Sequence, residues 1–322
     1  MIVVNSIEEI KFSKDTIITV GTFDGVHRGH QLIIQTLTKQ ANENNYRSVL
    51  ITFDPHPREV VGKGPVHLLT TLNERLKIIE SLNVNYVVVL KFTHEFSLQS
   101  AREFYEKYII KGIGVTKVVV GYDHTFGHDR ATKVDELLKM GNEYNFDVEI
   151  IEPVSYEGEI ISSSKIRNLL LQGAVDRASL YLNRNYSIAG KVVEGDHRGY
   201  SLGFPTANIQ VENSNKLIPA DGVYCVQVEF ENMRANGMLN IGRRPTFKDS
   251  KEKIIEVNIF NFDENLYGKN IRIYFIKRIR AENKYSSKEE LITQLKNDRK
   301  ECLKIFTEIP TKLSLKGELK CQ

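Results

Sequence analysis

Cysteine is scarce in this sequence of 322 residues, and long apolar runs are missing. The three cysteines, Cys225, Cys302 and Cys321, form no CxxC pair, which argues against a disulfide framework or a zinc site. No apolar stretch reaches the length of about 18 residues that a membrane-spanning helix needs. The first residues carry charges within an apolar run and show no cleavage-site pattern, so no signal peptide is expected. We therefore expect a cytoplasmic protein.

The sequence also lacks an excess of one charge sign. It has 44 basic and 41 acidic residues, and its net charge is only +3. This near balance argues against a dedicated nucleic-acid-binding protein, but it is compatible with a local basic pocket for a phosphorylated small molecule. Repeats and low-complexity segments are absent, so nothing in the sequence indicates a scaffold. A chain of this length can hold two domains, each with its own core.

Short apolar runs alternate with amphipathic segments between residues 16 and 182. Several runs are rich in Val and Ile, as expected for strands that are buried on both faces. The predicted strands are Thr16–Val20, Ser48–Phe53, Tyr86–Lys91, Lys117–Gly121 and Phe146–Glu152, and the predicted helices include Asn73–Ser81, Ala101–Ile110 and Val134–Tyr144. This alternation predicts an α/β fold with a doubly wound parallel sheet.

A glycine-rich segment, GTFDGVHRGH (Gly21–His30), follows the first of these strands and opens a predicted helix. A helix that begins after such a turn directs backbone N–H groups and a positive dipole end at a bound phosphate. Gly25 and Gly29 would let the backbone approach the ligand closely. His27 and His30 lie at the start of the helix, where they could bind phosphate, cap the helix or hold a metal. The segment predicts a nucleotide phosphate site, with the other two roles of the histidines still open.

Polar segments follow three further predicted strands. They are FDPHPREV (Phe53–Val60), GYDHTFGHDR (Gly121–Arg130) and ISSSKIRNLLLQG (Ile161–Gly173). Ligands of doubly wound sheets bind at the carboxyl ends of the strands, so these segments are expected at the same edge as the glycine-rich turn. In the last segment, serine hydroxyls at a helix start could bind phosphate oxygens or simply cap the helix.

The pattern changes near Tyr186, where short strands separated by turn residues begin. The predicted strands are Tyr186–Val193, Gly222–Phe230, Asn236–Ile241, Ile254–Phe260 and Ile271–Lys277, with a long excursion over 194–221 and a turn over 231–235. Such a series predicts a small antiparallel barrel. A helix over Lys288–Lys304 follows, begun by a capping box of Ser287 and Glu290. The lysine-rich tail over 310–322 is expected to fray.

Two sets of motifs resemble known enzyme families. GTFDGVHRGH with ISSSKIR is similar to nucleotidyltransferases that carry an HxGH signature, and with FDPHP and GYDHTFG it resembles the FMN adenylyltransferase module of bacterial bifunctional FAD synthetases. The motifs that resemble riboflavin kinase are RGYSLGFPTAN (198–208), PADGVY (219–224), NIGRRPTF (240–247), EVNIF (256–260) and LYG (266–268). The resemblance implies an adenylyltransferase domain over 1–185, a kinase barrel with its helix over 186–308 and a basic tail over 309–322.

For the first domain the resemblance implies that an FMN phosphate oxygen attacks ATP to give FAD and pyrophosphate. This oxygen is already an anion, so the protein must supply donors for the phosphates and no general base. His27 and His30 are assigned to that role. The other expected ATP-binding residues are Gly21, Phe23, Asp24, Gly25, Ser163, Ser164 and Arg167, and the expected flavin-binding residues are Asp123, His56, Arg58 and Phe126. The family often has an aromatic residue where His124 stands.

For the second domain the resemblance implies phosphorylation of riboflavin by ATP. The attacking hydroxyl must lose a proton, and Glu256 matches the family's catalytic base, although it could be an ordinary exposed strand carboxylate. Thr206 and Asn208 offer oxygen ligands for Mg²⁺, or they are turn residues after a proline. The expected ATP-binding residues here are Arg198, Gly203 and Pro205, in a loop without the GKS or GKT of a Walker motif. The family often has histidine where Asn258 stands.

The leading hypothesis is a bifunctional enzyme that converts riboflavin to FMN and FMN to FAD, with ATP as co-substrate and Mg²⁺ as cofactor. Two alternatives stay open. One is a nucleotidyltransferase whose C-terminal domain only senses or binds flavin. The other is an adenylyltransferase for another substrate, as in the pantetheine-phosphate, nicotinate or tRNA-charging enzymes. No nucleic-acid or membrane partner is expected, and a weak homo-oligomer is left open.

Overall fold

The computed structural model describes residues 1–62, 66–124, 134–195, 199, 202–231, 233–243, 253–308 and 319–321. The chain divides into two compact units. The first unit comprises Met1–Ser163 with Gly317–Gln322, and the second comprises Ser164–Lys316. No helix among these described residues combines the length and the apolar character that crossing a membrane requires.

A parallel six-stranded sheet forms the centre of the first unit, with the strand order β1-β4-β3-β2-β5-β6. Its strands are β1 (Ile2–Val4), β2 (Thr16–Val20), β3 (Arg47–Asp54), β4 (Tyr86–Lys91), β5 (Lys117–Gly121) and β6 (Asp147–Ile151). The interiors of β2 to β5 are buried, which explains their Val and Ile content. The predicted doubly wound parallel sheet is confirmed.

Helices cover both faces of this sheet. They are α1 (Arg28–Glu43), α2 (Pro57–Val61), α3 (Leu72–Glu80), α4 (His94–Ser97), α5 (Ala101–Phe104, continued by a π-helix over Tyr105–Ile113) and α6 (Val134–Tyr144). Along β3, Val49 and Ile51 pack into the core layer that contains Phe104, whereas Leu50 packs into the opposite layer with Ile34 and Ile79. Successive residues of the strand therefore pack into opposite core layers, because side chains of a pleated strand point alternately to its two faces.

The strand order places a topological switch point next to β2. The chain passes from β2 through α1 to β3 on one side and later returns to β5 on the other side of β2. Ligands of such sheets bind in the crevice outside the carboxyl ends of the strands at this point. The GTFDGVHRGH segment follows β2 and therefore lies at the switch point.

A small separate sheet in the first unit includes the end of the chain. The strands β7 (Val154–Tyr156) and β8 (Glu159–Ile160) form a hairpin, and β15 (Leu319–Cys321) pairs with β7 in antiparallel register. The predicted fraying of the tail is wrong for these three residues. A three-residue strand is specified by backbone pairing with a distant partner, which leaves little local signal in the sequence.

The second unit is a closed six-stranded antiparallel barrel preceded by two helices and followed by one. Its elements are α7 (Ser163–Leu171, which begins at the last residue of the first unit), α8 (Val175–Leu182), β9 (Ser187–Val193), β10 (Ala207–Val211), β11 (Gly222–Phe230), β12 (Met233–Arg243), β13 (Lys253–Ile259), β14 (Asn270–Arg280) and α9 (Lys288–Glu308). The predicted barrel is confirmed, but β10 was predicted as part of a long loop. Residues Met233–Ala235, predicted as a turn, belong to β12.

The helix α9 packs on the outer surface of the barrel. Its Cys302 and Ile305 contact a buried apolar cluster that includes Cys225 and Met238 of the barrel. Arg280 of β14 donates to the carboxylate of Asp298, with the closest pair 2.7 Å apart. Ser287 caps the helix as predicted, since its Oγ accepts from the N–H of Glu290 at 3.1 Å. The helix extends one turn beyond the predicted end at Lys304.

Candidate active sites

The turn after β2 has an unusual backbone. Phe23, Gly25 and Val26 all have positive φ values, of 48°, 84° and 36°. Glycine adopts this region freely, but Phe and Val do so only when the surrounding structure holds them there. Such strain occurs preferentially at ligand sites, and here it shapes the entrance to α1.

The two histidines of this turn form a stacked pair at the start of α1. His27 is the N-cap residue, and its Nδ1 accepts from the N–H of His30 at 3.4 Å. The ring centroids are 3.7 Å apart at an interplanar angle of 20°. The edge of Phe23 packs against His30 at 5.2 Å. Two imidazoles thus stand side by side at the positive end of the helix dipole, where an anionic group is stabilised. Among the described residues, no group of three or more His, Cys, Asp or Glu side chains could hold a metal ion.

Asp24 fixes the turn from inside the protein. Its side chain is 1% exposed, and its carboxylate accepts from the N–H of Leu69 at 3.0 Å and from that of Thr70 at 2.9 Å. The hydroxyl of Thr70 also donates to Asp24 at 3.1 Å and accepts from the N–H of Gly25 at 2.9 Å. The segment before α3, which sequence reasoning did not single out, therefore anchors the glycine-rich turn.

The start of α7 is joined to the same turn. The hydroxyl of Ser163 donates to the backbone carbonyl of Asp24 at 2.8 Å. This bond brings one residue of the ISSSKIR motif to the GTFDGVHRGH segment, as the motif combination predicted. Ser164 and Arg167 follow in the same helix and belong to the second compact unit. Gly21, another predicted ligand residue, is partly exposed directly after β2.

The segment after β3 forms a second turn beside the first, because β2 and β3 are neighbours in the sheet. His56 caps α2, and its Nδ1 accepts from the N–H of Arg58 at 3.1 Å. Its own N–H donates to Glu59 at 2.9 Å. The His56 side chain is therefore held in place, while the Arg58 side chain lies exposed at the surface.

Aromatic side chains extend from this second turn along the end of β4, and sequence reasoning missed them. Phe92 and Phe96 are partly exposed, and each packs against Phe53, with ring centroids 5.7 Å and 5.9 Å away. Phe104 contacts Phe96 from beneath at 6.0 Å. The pair at positions 92 and 96, directly after a predicted strand, was the signal that could have revealed this aromatic surface.

The segment after β5 holds the third group of predicted residues. Asp123 is exposed, and His124 bonds through Nε2 to the hydroxyl of the buried Tyr105 at 3.0 Å. Burial lowers the pKa of His124 to about 4, so the imidazole is neutral near pH 7. The predicted flavin-binding residue Phe126 lies outside the described residues.

The depressed pKa of His124 makes an acid-dependent loss of stability an expected result. Unfolded histidine has a pKa of about 6.5, so the unfolded chain takes up the proton first as the pH falls. This contribution to the free energy of unfolding is fully present above pH 6.5 and is lost as the pH falls towards 4. Denaturation of the full chain should therefore show about 2 kcal/mol more loss between pH 7 and pH 5 in the wild type than in His124→Phe. Parallel pH profiles would contradict a folded state in which His124 is held neutral.

Glu256 occupies the middle of β13, on the outer surface of the barrel. Its strand neighbours Ile255 and Val257 are buried, so Glu256 points away from the barrel core. The antiparallel register sets it directly opposite Asn208 of β10 and Asn240 of β12. Opposed residues share one face and have Cβ atoms about 5 Å apart. The predicted base and one predicted metal ligand are thus neighbours, and Asn208 belongs to a strand and not to a turn.

Glycines let the backbone pass close to the predicted metal ligands. A Cβ on Gly195 would overlap the side-chain amide of Asn208, and a Cβ on Gly199 would lie 2.9 Å from the Thr206 hydroxyl. Gly203 has a φ of 77°, which favours glycine. Gly195 and Gly199 are therefore required for close approach, and Gly203 for its backbone conformation. The predicted ATP-binding residue Arg198 lies outside the described residues.

Asn258 is a further residue of this site that sequence reasoning did not assign. Its side chain is 6% exposed, and its Nδ2 donates to the carbonyl of Pro205 at 2.7 Å. This bond fixes the GFPT segment against β13. A cavity of about 290 Å³ opens beside the segment, and its lining includes Pro205, Thr206, Val257 and Tyr267. Thr206 therefore lies at a cleft for a small molecule, and Glu256 stands opposite Asn208 in the strand ladder.

The two modules define the class of the protein. A glycine-rich turn with paired histidines at the switch point of a parallel sheet is suited to nucleotide phosphates. A barrel surface that sets a carboxylate opposite an asparagine offers oxygen groups for a second site. Together they define a nucleotide-dependent transferase with two sites.

Known proteins of this class are similar to the chain over most of its length. Residues 9–165 match the family model of FAD synthetase, and residues 182–306 match that of riboflavin kinase. The bifunctional riboflavin kinase/FMN adenylyltransferase of Bacillus subtilis (strain 168) is 37% identical over 302 residues, covering 91% of this chain and 93% of that protein. The protein of the same name from Escherichia coli (strain K12) is 33% identical over 285 residues, covering 88% of this chain and 90% of that protein.

A solved structure is similar over most of this chain. A crystal structure described as a macrolide-efflux protein from Streptococcus pneumoniae matches with a TM-score of 0.84 and 33% identity, over 93% of this chain and 97% of that chain. The chain belongs to the bifunctional riboflavin kinase/FMN adenylyltransferase family. Its N-terminal domain adenylylates FMN to FAD, and its C-terminal domain phosphorylates riboflavin to FMN, with ATP as co-substrate in both reactions. The predicted function is confirmed over both alternatives.

Proposed function

We propose that His27 and His30 donate hydrogen bonds to the ATP phosphates during adenylyl transfer. The observation that carries this proposal is their stacked arrangement at the N-terminus of α1, on the turn at the switch point of the sheet. Negative charge grows on the α-phosphate and on the leaving pyrophosphate, and donors fixed in advance stabilise it without reorganisation. The residues Gly21, Phe23, Asp24 and Gly25 shape the turn, and Ser163, Ser164 and Arg167 are proposed to hold the far end of the triphosphate.

We propose that FMN binds along the neighbouring turn and the aromatic surface beside it. His56 and Arg58 are suited to its phosphate, since one is held by capping and the other is an exposed cation. Phe92 and Phe96 offer apolar ring surface of the kind that a flat isoalloxazine covers. Asp123, which lies exposed after β5, is proposed as a polar contact at the other side of the switch point, together with Phe126 of the same segment.

In the kinase domain we propose that Glu256 accepts the proton of the riboflavin 5′-hydroxyl. Thr206 and Asn208 would hold Mg²⁺, which supplies charge neutralisation for the ATP phosphates when it is bound. Their oxygen donors are hard ligands of the kind that Mg²⁺ prefers, and Asn208 stands opposite the proposed base. The cavity beside Thr206 is suited to ATP, and Pro205 lines it. Gly203 and Arg198, which precede Pro205 in the sequence, are proposed as further ATP contacts.

The Thr206 hydroxyl can be tested by a matched pair of variants. Thr206→Val removes the oxygen at nearly constant volume, and Thr206→Ser keeps it. We expect Thr206→Val to raise the Mg²⁺ concentration needed for half-maximal riboflavin phosphorylation by roughly tenfold or more, as changes around metal ligands commonly do. Thr206→Ser should stay within about threefold of the wild type. Equal Mg²⁺ dependence in all three proteins would remove Thr206 as a ligand. The Mg²⁺ dependence of FAD formation from FMN serves as the internal control.

We also propose functional boundaries at 185 and 308, with the basic tail over 309–322 outside both active sites, although its strand β15 pairs with β7 of the first unit. The riboflavin kinase match begins at residue 182, which supports a kinase domain from about residue 186. The FAD synthetase match ends at residue 165, so α7 and α8 lie mostly between the two matches. A cytoplasmic enzyme is proposed because both reactions consume ATP, and cell fractionation followed by flavin assays would test this.

A further inference from the structure

Arg75 of α3 is a buried cation beneath the two turns of the adenylyltransferase site. Its side chain is only 3% exposed. One terminal nitrogen, Nη1, donates to the carbonyl of Thr22 at 2.6 Å, and the other, Nη2, donates to the carbonyl of Phe53 at 2.9 Å. Thr22 lies in the turn after β2, and Phe53 lies at the end of β3. A single guanidinium therefore holds both turns.

The charge of Arg75 has no direct counter-ion within the described residues. Its two hydrogen bonds go to neutral carbonyls, and its Nε is buried without a hydrogen-bond partner in the part of the chain that the structure describes. Burial lowers the pKa of Arg75, and the more distant carboxylates Asp24, Asp54 and Glu59 oppose this shift. A buried cation without an ion pair is expensive, and an apolar residue would fill the same space at lower cost. Stability alone does not explain an arginine here.

The geometry of the guanidinium matches a requirement of the reaction. Its planar fork is rigid, so the two carbonyls that it binds are held at a fixed separation. The turn after β2 is the proposed ATP side, and the turn after β3 is the proposed FMN side. The attacking phosphate oxygen and the α-phosphate must meet within a narrow range of distance and angle, and a displacement of about 1 Å can cost about 100-fold in rate. The charge also lies under a site that brings two polyanions together.

We propose that Arg75 is a positioning residue for adenylyl transfer, which fixes the spacing of the ATP-side and FMN-side turns and places a permanent positive charge beneath them. The proposal rests on the assignment of these turns to the two substrates. It predicts that the fork matters and not the charge alone, since the lysine ammonium is a compact point charge without the rigid planar fork that sets the two carbonyls relative to each other. It also predicts an effect on the rate of the bound complex more than on the affinity for either substrate.

The test measures FAD formation from supplied FMN and ATP by the full chain. Arg75→Lys keeps the charge and loses the fork, and we expect its kcat to fall about 100-fold while both KM values change less than about threefold. Riboflavin phosphorylation by the same protein should be unchanged, which controls for protein concentration, and the melting temperature of the variant controls for the folding of the first unit. Arg75→Ala leaves a space for free guanidinium ion, and millimolar guanidinium should restore kcat at least about tenfold, whereas urea at the same concentration should not.

The proposal is overturned if Arg75→Lys keeps the wild-type kcat, or if its KM values rise with kcat unchanged. It is also overturned if the Arg75 variants that lose FAD formation have a lower melting temperature than the wild type and free guanidinium does not restore their kcat. His30→Ala serves as the reference for the site assignment. If His30→Ala forms FAD normally while the Arg75 variants fail, the assignment of the ATP-side turn is wrong, and the positioning role of Arg75 is judged by the guanidinium rescue alone.

Discussion

His30→Ala should stop the formation of FAD while FMN still accumulates from riboflavin. The expected loss in kcat for adenylyl transfer is about 100-fold to 1,000-fold, the usual effect of removing one donor fixed against a developing negative charge. His30 is partly exposed and stacks on His27, so the substitution removes a donor and leaves the N-cap of α1 in place. The measurement is chromatography of flavins over time, with riboflavin and then FMN as the starting material.

Two further results decide what His30 does. His30→Gln keeps a hydrogen-bond donor near the same place and should retain more activity than His30→Ala. Riboflavin phosphorylation should match the wild type in both variants, because the kinase site belongs to the barrel. An equal loss of both reactions would show that His30 supports the whole protein and would contradict its role as a phosphate donor.

Glu256→Gln should block riboflavin phosphorylation while FMN is still converted to FAD. The substitution preserves the size of the side chain and its place opposite Asn208, but the amide cannot accept the hydroxyl proton. General-base catalysis typically contributes about 100-fold to 10,000-fold, so a loss in that range is expected. The measurement is FMN production from riboflavin at saturating ATP.

A carboxylate elsewhere on the barrel provides the matched control. Glu229 of β11 is also half-exposed and pairs with Arg234 at 2.7 Å. An exposed ion pair of this kind contributes little, so Glu229→Gln should phosphorylate riboflavin at close to the wild-type rate. If Glu256→Gln keeps its kinase activity, or if Glu229→Gln loses as much, Glu256 is not the base.

Central strands were predictable because their signal is local. The bounds of β2, β4 and β5 agree with the predicted runs, since each is a continuous apolar segment buried on both faces. Short or polar strands were not predictable. β10 carries the sequence ANIQV and begins two residues after a proline, and it becomes a strand only by pairing with β9 and β13. β15 was not predicted for the same reason, since it forms only by pairing with β7.

The residues of the candidate sites were predictable on the same basis: those with a local pattern could be recognised in the sequence, and those that act through distant contacts could not. The glycines and histidines of GTFDGVHRGH act within a few residues of one another, so the sequence displays them together. The residues that hold the turns act across long separations: Thr70 reaches Asp24 across 46 positions, and Asn258 reaches Pro205 across 53. Arg75 likewise reaches Thr22 across 53 positions. Their roles depend on the folded chain, and no local spacing indicates them.

The central claim is that the chain carries two separate active sites linked by free FMN. The most direct measurement mixes His30→Ala and Glu256→Gln proteins with riboflavin, ATP and Mg²⁺ and follows the flavins by chromatography. Alone, the first should yield only FMN and the second should leave riboflavin unchanged. Together they should form FAD, because FMN made by one protein is adenylylated by the other. A mixture that forms no FAD, or a single variant that loses both reactions, would contradict the account.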